Sequence, residues 1–268
     1  MSFARCRASG VRLVLLAALA AAISGCGASA YEAKYSRALG EMNRLTPYAT
    51  LHDQPITIPE TGVSLRIPRI FDQTSASYAP GGISTRDSAP DQEKVVDPKR
   101  LHSSFLKIPA LKTTYEVYVT PEKQSPLPVY MYLAVEKKQA PGPERAAALT
   151  QELSAQLKAK FADQDPKWDD ETGTSPDLSP DGSAKTLAWK KLAIKVSQEF
   201  DAGSAGSPAF YERNAQFELW MHDGENEIVL IGWSVPDLLG TAVNLPSLSK
   251  PVAGTVTFGA APEAAAGG

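Results

Sequence analysis

The chain has 268 residues, of which 30 are acidic and 27 are basic, and its formal net charge is −3. An acidic chain without a basic cluster lacks the surface that nucleic-acid binding requires. Its 2 cysteines are Cys6 and Cys26, so the chain after residue 26 has no disulfide, no thiolate zinc site and no cysteine nucleophile.

The N-terminal stretch has the features of an export signal. Arg5, Arg7 and Arg12, with no acidic residue among them, precede an uninterrupted apolar run of 11 residues, Leu13 to Ile23. Such a run is too short to cross a bilayer as a helix, but it has the length of the hydrophobic region of a signal peptide. Residues 1–25 are therefore predicted to be removed on export.

The processing site follows this run. The order Ile23-Ser24-Gly25-Cys26 resembles the lipobox of bacterial lipoproteins. The resemblance implies cleavage between Gly25 and Cys26, diacylation of the Cys26 thiol, and anchoring of the mature chain on the extracytoplasmic side of a membrane. An ordinary secretory signal cut near Ala28-Ser29-Ala30 and an uncleaved anchor remain as alternatives. Because Gly27 replaces the Asp that retains some lipoproteins in the inner membrane, the outer membrane is favoured where two exist.

The mature chain is more acidic than the precursor. Removal of residues 1–25 leaves 24 basic residues against 30 acidic ones, a net charge of −6. The expected partners are the membrane, through the lipidated N-terminus, and other proteins of the cell envelope. No nucleic acid and no cofactor is expected.

Residues 26–55 are predicted to hold the lipidated N-terminus and a short helix beside the membrane. Tyr31, Tyr35, Leu39 and Met42 recur at helical spacing on one side of residues 31–45. We interpret this helix as a stalk or a docking helix.

The single folded domain is expected to span residues 56–258 and to begin with strands. Val63, Leu65 and Ile67 alternate with polar residues, which predicts a strand between residues 56 and 70, near a sheet edge. Residues 73–100 are polar and contain Pro and Gly, so we expect a long loop there. The apolar stretches at residues 115–119 and 129–135 predict a pair of strands.

The clearest predicted helix opens at Gly142-Pro143-Glu144, because Pro suits a first helical turn and Glu suits its positive end. Leu149, Leu153, Leu157 and Phe161 then recur every fourth residue, which predicts packing against a sheet. An acidic loop around Trp168 is expected over residues 163–185. It is followed by a long strand over residues 186–200.

A hairpin is predicted next, with its turn at residues 222–226. Its second strand, residues 227–235, is apolar on both faces, which is typical of a central strand covered on both sides. A short helix is expected from Pro236, and a last strand or packing segment over residues 252–258. The Ala- and Gly-rich residues 259–268 are predicted to be a disordered tail.

This order of elements predicts an α+β domain, a mostly antiparallel sheet covered by helices in an α/β/α sandwich. The early Gly-Val-Ser-Leu-Arg-Ile-Pro strand, the helix with its Leu stripe and the strand-rich C-terminal half resemble the Mog1/PsbP-type fold, over residues 56–258. That fold has several unrelated roles, so the resemblance implies a fold and no specific function.

Few residues suggest chemistry. The chain has neither a nucleophile elbow nor a phosphate-binding glycine pattern, and its 3 histidines, His52, His102 and His222, are far apart. His222 is a candidate polar site with Asp223 and Glu225, because these residues cluster at a hairpin turn. An ordinary turn is the alternative interpretation.

The acidic stretch from Asp163 contains the candidate cation ligands Asp163, Asp165 and Asp169, although Lys167 and Trp168 occupy the positions where an EF-hand has a ligand and a Gly. A solvated loop is the alternative. Trp220 is predicted either to be exposed, where it could bind a glycan or a partner, or to lie under a helix.

Two functional hypotheses follow. The first is a membrane-anchored envelope lipoprotein whose domain is non-catalytic and has a binding or structural role. The second is an extracytoplasmic ligand-binding or hydrolytic protein whose site is assembled from distant residues such as His222, Asp223 and Asp169. We prefer the first, because no catalytic motif is present in the sequence.

Overall fold

The structure is a computed structural model. The predicted signal peptide, Cys26 and the tail after Gly259 lie outside the residues that it describes. The described residues belong to two compact units, which divide between Pro47 and Tyr48. The described ranges are 31–58, 60–72, 75–79, 82–85, 106–120, 127–201, 210–240 and 243–259.

In the first unit, residues 31–45 form an α-helix, α1, as the spacing of its apolar residues predicts. The rings of Tyr31 and Tyr35 stack one turn apart, with 6.3 Å between their centroids. Arg44 donates to the carboxylate of Glu41, with 3.1 Å between Nε and Oε2. The hydroxyl of Thr46 donates to the Met42 carbonyl oxygen at 2.7 Å and so caps the last turn of the helix.

The second unit contains the main sheet. Its described strands run in the order β4-β3-β5-β6-β10-β9-β8-β7, and the neighbours pair antiparallel except for β3 and β5, which are parallel. A separate small sheet has the order β1-β2-β11. The bounds are β1 Ile56–Thr57, β2 Val63–Leu65, β3 Ser75–Ala79, β4 Gly82–Thr85, β5 Leu111–Thr120, β6 Leu127–Lys137, β7 Trp168–Leu178, β8 Ala184–Asp201, β9 Phe210–Asp223, β10 Glu227–Pro236 and β11 Thr257–Phe258.

A long helix, α2, spans Glu144–Lys160 and covers one face of the main sheet. Of the predicted stripe, Leu149, Leu153 and Leu157 are buried, and Phe161, just after the helix, is partly buried. These residues pack on apolar side chains of β6, β8, β9 and β10. The indole nitrogen of Trp168, at the start of β7, donates to Ser154 Oγ on this helix at 2.9 Å. The prediction of a helix that packs its Leu stripe on a sheet is confirmed.

The opposite face of the sheet is covered by a second helix, α3, Leu245–Gly254, and by the small sheet. This helix was not predicted: residues 252–258 were expected to form a last strand or a packing segment, and of these only β11 is a strand. The helix contains Pro251, and Pro also stands in its first turn. A chain rich in Pro has a weak helical signal, and the packing of the buried Leu248 and Val252 on the sheet overrides it.

The strand β10 lies between β6 and β9. Ile228 and Leu230 belong to the core under α2, whereas Val229, Ile231 and Trp233 belong to the core on the opposite face. The prediction of a central strand that is buried on both faces is therefore confirmed. With helices on both faces of a mostly antiparallel sheet, the domain is α+β with α/β/α layers.

Two predicted loops are wrong in part. Within residues 73–100, β3 and β4 form a hairpin of strands, and residues 86–100 lie outside the described part of the chain. Within residues 163–185, Trp168–Leu178 forms the strand β7, paired with β8. Asp169, Asp170 and Asp177 of β7 are exposed at the border of the sheet, and the first half of the strand has no alternation of buried residues to identify it in the sequence.

Candidate functional site

The predicted polar site at the hairpin turn is divided between two sets of contacts. His222 Nδ1 donates to the carbonyl oxygen of Ala188, at 2.7 Å. Its ring lies 5.3 Å from that of Trp189 and 5.2 Å from that of Phe258, measured between centroids. These contacts hold the His222 ring in place as a packed side chain of the strand β9.

Asp223 makes different contacts, although it follows His222 directly in the strand. Its carboxylate forms an ion pair with Lys138, whose ammonium also donates to the carbonyl oxygen of Gly142 at 2.8 Å. The Lys138 side chain is 3% exposed, so the pair fixes the segment before α2 to the end of the hairpin. Glu225 lies exposed in the turn.

A groove of about 330 Å³ separates the first turns of α2 from the sheet. We call it the α2 groove. Two of its polar groups have partners: Lys190 pairs with Asp170 at 2.9 Å, and the Thr150 hydroxyl donates to the Ala147 carbonyl oxygen at 2.7 Å. The other lining residues are Pro143, Ala146, Ala188, Trp189, Met221, His222 and Asp223.

The candidate cation ligands are spread along the chain between α2 and β7. Asp163 and Asp165 are exposed before β7, and Asp165 lies 3.6 Å from the Lys167 ammonium. Asp169 is in β7, opposite Lys191 of β8, and it does not line the α2 groove with His222 and Asp223. In the described ranges, no group of three or more His, Cys, Asp or Glu side chains is placed to hold a metal ion.

A buried polar network on the α3 face was not predicted. It centres on Glu218 of β9, whose side chain is 6% exposed. Trp220 Nε1 and Ser249 Oγ donate to Glu218 Oε2, at 3.1 and 2.8 Å, and Lys191 Nζ lies 3.1 Å from Glu218 Oε1. The Lys191 ammonium also lies over the Trp220 ring, 5.2 Å from its centroid. We call these four residues the Glu218 network.

The network joins three elements, since Lys191 is in β8, Glu218 and Trp220 are in β9, and Ser249 is in α3. The sequence gives one signal for it: Trp220 shares a strand face with Glu218, at a spacing of two residues. Ser249 is 31 residues from Glu218, and nothing local indicates that its helix covers this face. Trp220 is 1% exposed, so of the two predicted environments it has the buried one.

A second groove, of about 570 Å³, begins at Glu218 and opens along β8 and β9. We call it the β8–β9 groove. Lys195 and Gln216 line it together with Glu218. Lys195 Nζ lies 3.9 Å from Asp237 Oδ2, and the other oxygen, Oδ1, is buried with no hydrogen-bond partner in the described structure. The side chains here provide the ammonium of Lys195, the amide of Gln216 and the exposed carboxylate of Asp163, which also lines the groove, for a polar ligand.

In the residues that the structure describes, no helix is both long and apolar enough to span a bilayer. Comparison with known proteins gives no match to a family model and no match to a curated protein sequence.

Proposed function

We propose that this chain is a membrane-anchored lipoprotein of the bacterial cell envelope, and that its folded domain has a non-catalytic binding or structural role. One observation carries the proposal: three arginines, an apolar run of 11 residues and the order Ile23-Ser24-Gly25-Cys26 follow one another at the N-terminus. A signal peptide needs the first two, and a lipid-modifying enzyme needs the Cys26 thiol with small neighbours.

The contacts of the polar residues support a non-catalytic role. A general base or nucleophile must have an atom free to reach a substrate. In the domain, the oxygens of Glu218 are held by Trp220, Ser249 and Lys191, and the carboxylate of Asp223 is held by Lys138. These groups connect elements of the fold, as structural groups do.

The anchor is tested by the two cysteines of the precursor. The wild-type protein should be found in the membrane fraction, and its N-terminal peptide should begin at Cys26 with the mass of a diacylglyceryl group. Cys26→Ser should abolish the lipid, because a hydroxyl is a far weaker nucleophile than a thiolate. Cys6→Ser is the matched control and should change neither location nor mass, because Cys6 lies in the segment that is removed.

A different N-terminus would contradict the proposal. If the mature chain begins after Ala28-Ser29-Ala30 and is released from the membrane, the ordinary secretory signal is correct. If residues 1–25 are retained in the wild-type protein while Cys26 stays unmodified, the uncleaved anchor is correct. The mass of the N-terminal peptide distinguishes all three cases.

The second candidate function is binding of a small polar ligand outside the cytoplasm. The β8–β9 groove favours it, because its volume lies in the range of small-molecule sites and the buried Asp237 Oδ1 near it has no hydrogen-bond partner among the described residues. A ligand that binds only the folded state raises its thermal midpoint. A panel of cations, sugars and metabolites should then include one that stabilises the wild-type protein and not Lys195→Ala.

Lys190→Ala is the matched control for this test, since Lys190 lies on the same strand, outside the β8–β9 groove. It should keep the stabilisation that Lys195→Ala loses. A ligand that stabilises both variants equally would place binding elsewhere. No stabilisation by any ligand would leave protein partners as the class to pursue, by cross-linking in intact cells.

A further inference from the structure

The helix α1 has an uninterrupted apolar stripe. At 3.6 residues per turn, its six apolar residues with the same orientation fall within an arc of about 120°. Four of them have strongly exposed side chains: 70% for Tyr31, 56% for Tyr35, 59% for Met42 and 41% for Leu45. The stripe consists of Tyr31, Tyr35, Ala38, Leu39, Met42 and Leu45.

The charged residues of α1 all lie outside this arc. Three are basic and two are acidic, which gives the helix a net charge of +1 within an acidic mature chain. One acid, Glu41, is paired with Arg44. The hydrogen bond that Arg44 donates lowers the pKa of the Glu41 carboxyl. A helix with an apolar stripe of this width, a polar face with arginines and a positive net charge fits the surface of an anionic bilayer.

The covalent chain keeps α1 close to the predicted lipid. Four residues, Gly-Ala-Ser-Ala at positions 27–30, separate Cys26 from Tyr31, and none of them is charged. Even a fully extended chain adds at most about 3.5 Å per residue, so the helix begins within about 17 Å of the acylated residue. This short connection keeps the first turn of the helix within reach of the polar headgroup region of the bilayer.

We propose that α1 lies flat in the interface of the membrane, with Tyr31, Tyr35 and Met42 inserted among the lipids and with Arg37 and Arg44 facing water. The inference rests on the proposed lipid anchor, which brings the helix to the surface. Tyrosine suits this position, because its ring is apolar and its hydroxyl reaches the hydrated headgroups. The helix then forms a second membrane contact, in contrast to a stalk that stands away from the surface with every side in water.

The test uses residues 27–268, which are the mature chain without Cys26 and contain no cysteine. An N-terminal histidine tag replaces the acyl chains and holds the protein on vesicles of phosphatidylglycerol and phosphatidylethanolamine that contain some nickel-chelating lipid. A single cysteine is introduced at a stripe position, Ala38→Cys, or outside the stripe on the polar side of the helix, Ser36→Cys. Each is labelled with the fluorophore NBD, which dithionite in the water phase reduces.

The label at position 38 should emit at shorter wavelength on vesicles and should be reduced several-fold more slowly than the label at position 36. Adding Tyr31→Ser, Tyr35→Ser and Met42→Ser to Ala38→Cys should remove this protection, because the stripe loses its apolar area. These substitutions are at exposed positions, so the circular dichroism of the domain should not change.

Equal reduction of the two labels on vesicles would overturn the interfacial position of α1. Protection that survives loss of the three apolar side chains would overturn the role of the stripe. Neither result depends on the lipid anchor, since the tag replaces it. The anchor fails by a separate result, an unmodified Cys26 in the protein from cell membranes, so the two proposals can fail independently.

Discussion

Glu218 places a carboxylate inside the domain, with 6% of its side chain exposed. Moving an ion out of water costs several kcal/mol unless protein groups replace the lost hydration. Trp220, Ser249 and Lys191 supply this replacement with donors to both carboxylate oxygens. Because Ser249 belongs to α3, the network also fixes this helix in one position on the sheet.

Replacing Glu218 by Ala should lower the free energy of unfolding by about 2–4 kcal/mol, because the indole and hydroxyl donors and the Lys191 ammonium lose their acceptor together. Urea denaturation of the domain measures this change. Glu225→Ala, at an exposed position in the hairpin turn, is the control and should stay within about 0.5 kcal/mol of the wild type. Equal stability of the two variants would mean that the network contributes nothing.

The Glu218 network shows why contacts between residues far apart in the sequence are difficult to predict. The alternation of β9 identifies Glu218 and Trp220 as neighbours on one face, but it does not reveal what covers that face. The donor Ser249 comes from a helix that local propensity disfavours. The candidate site at His222 and Asp223 rests on proximity in the sequence. Successive residues of a strand point to opposite faces of the sheet, so these two side chains have different partners.

At the scale of elements, the strength of the local pattern decides which elements are predictable. The Leu stripe of α2 and the two apolar faces of β10 give clear periodicities, and both elements are present. The strand β7 and the helix α3 have no such periodicity, since β7 is exposed and acidic in its first half and α3 contains Pro. Their contacts with the rest of the domain determine their structure.

Two glycines allow α3 and β7 to approach closely. A Cβ added at Gly173 would lie 2.8 Å from backbone atoms of Ala253, and one added at Gly254 would overlap the carbonyl group of Thr174. Gly254→Ala should therefore displace the end of α3 and lower the free energy of unfolding by about 1–3 kcal/mol, which is the usual cost of overpacking a core. Chemical denaturation measures the loss.

Gly40→Ala is the matched control for this substitution. A Cβ at Gly40 meets nothing within 4 Å, and Ala favours a helix over Gly. It should not lower the stability of the domain. If Gly254→Ala is as stable as this control, the close approach of α3 to β7 is incorrect.

For the whole molecule, the fold class was accessible from the order and periodicity of the elements, because few arrangements cover both faces of one antiparallel sheet. The resemblance to the Mog1/PsbP-type fold stays a prediction. The function was less accessible, because a fold class does not specify a site and the sequence has no catalytic motif. The sequence predicts the cellular location more directly than the function, because export enzymes recognise the N-terminal sequence itself and not a folded structure.

The three-layer fold should make the domain sensitive to alkaline pH. Burial in the core raises the pKa of Tyr130 well above its usual range, and the negative charge of the neighbouring Glu116 raises it further. Burial also raises the pKa of Tyr115. In the unfolded chain a tyrosine loses its proton near pH 10, so above that pH the unfolded state binds fewer protons than the folded state. Stability from these groups is complete below about pH 10 and falls as pH rises toward the folded pKa.

Each buried tyrosine should reduce the free energy of unfolding by up to about 1.4 kcal/mol per pH unit above pH 10. Tyr130→Phe removes one such contribution, so its stability should fall less steeply than that of the wild type between about pH 9 and 11 in urea denaturation. Leu153→Ala, a core substitution without a titratable group, controls for destabilisation alone and should keep the wild-type slope. An unchanged slope in Tyr130→Phe would mean that this hydroxyl ionises as readily in the folded domain as in the unfolded chain.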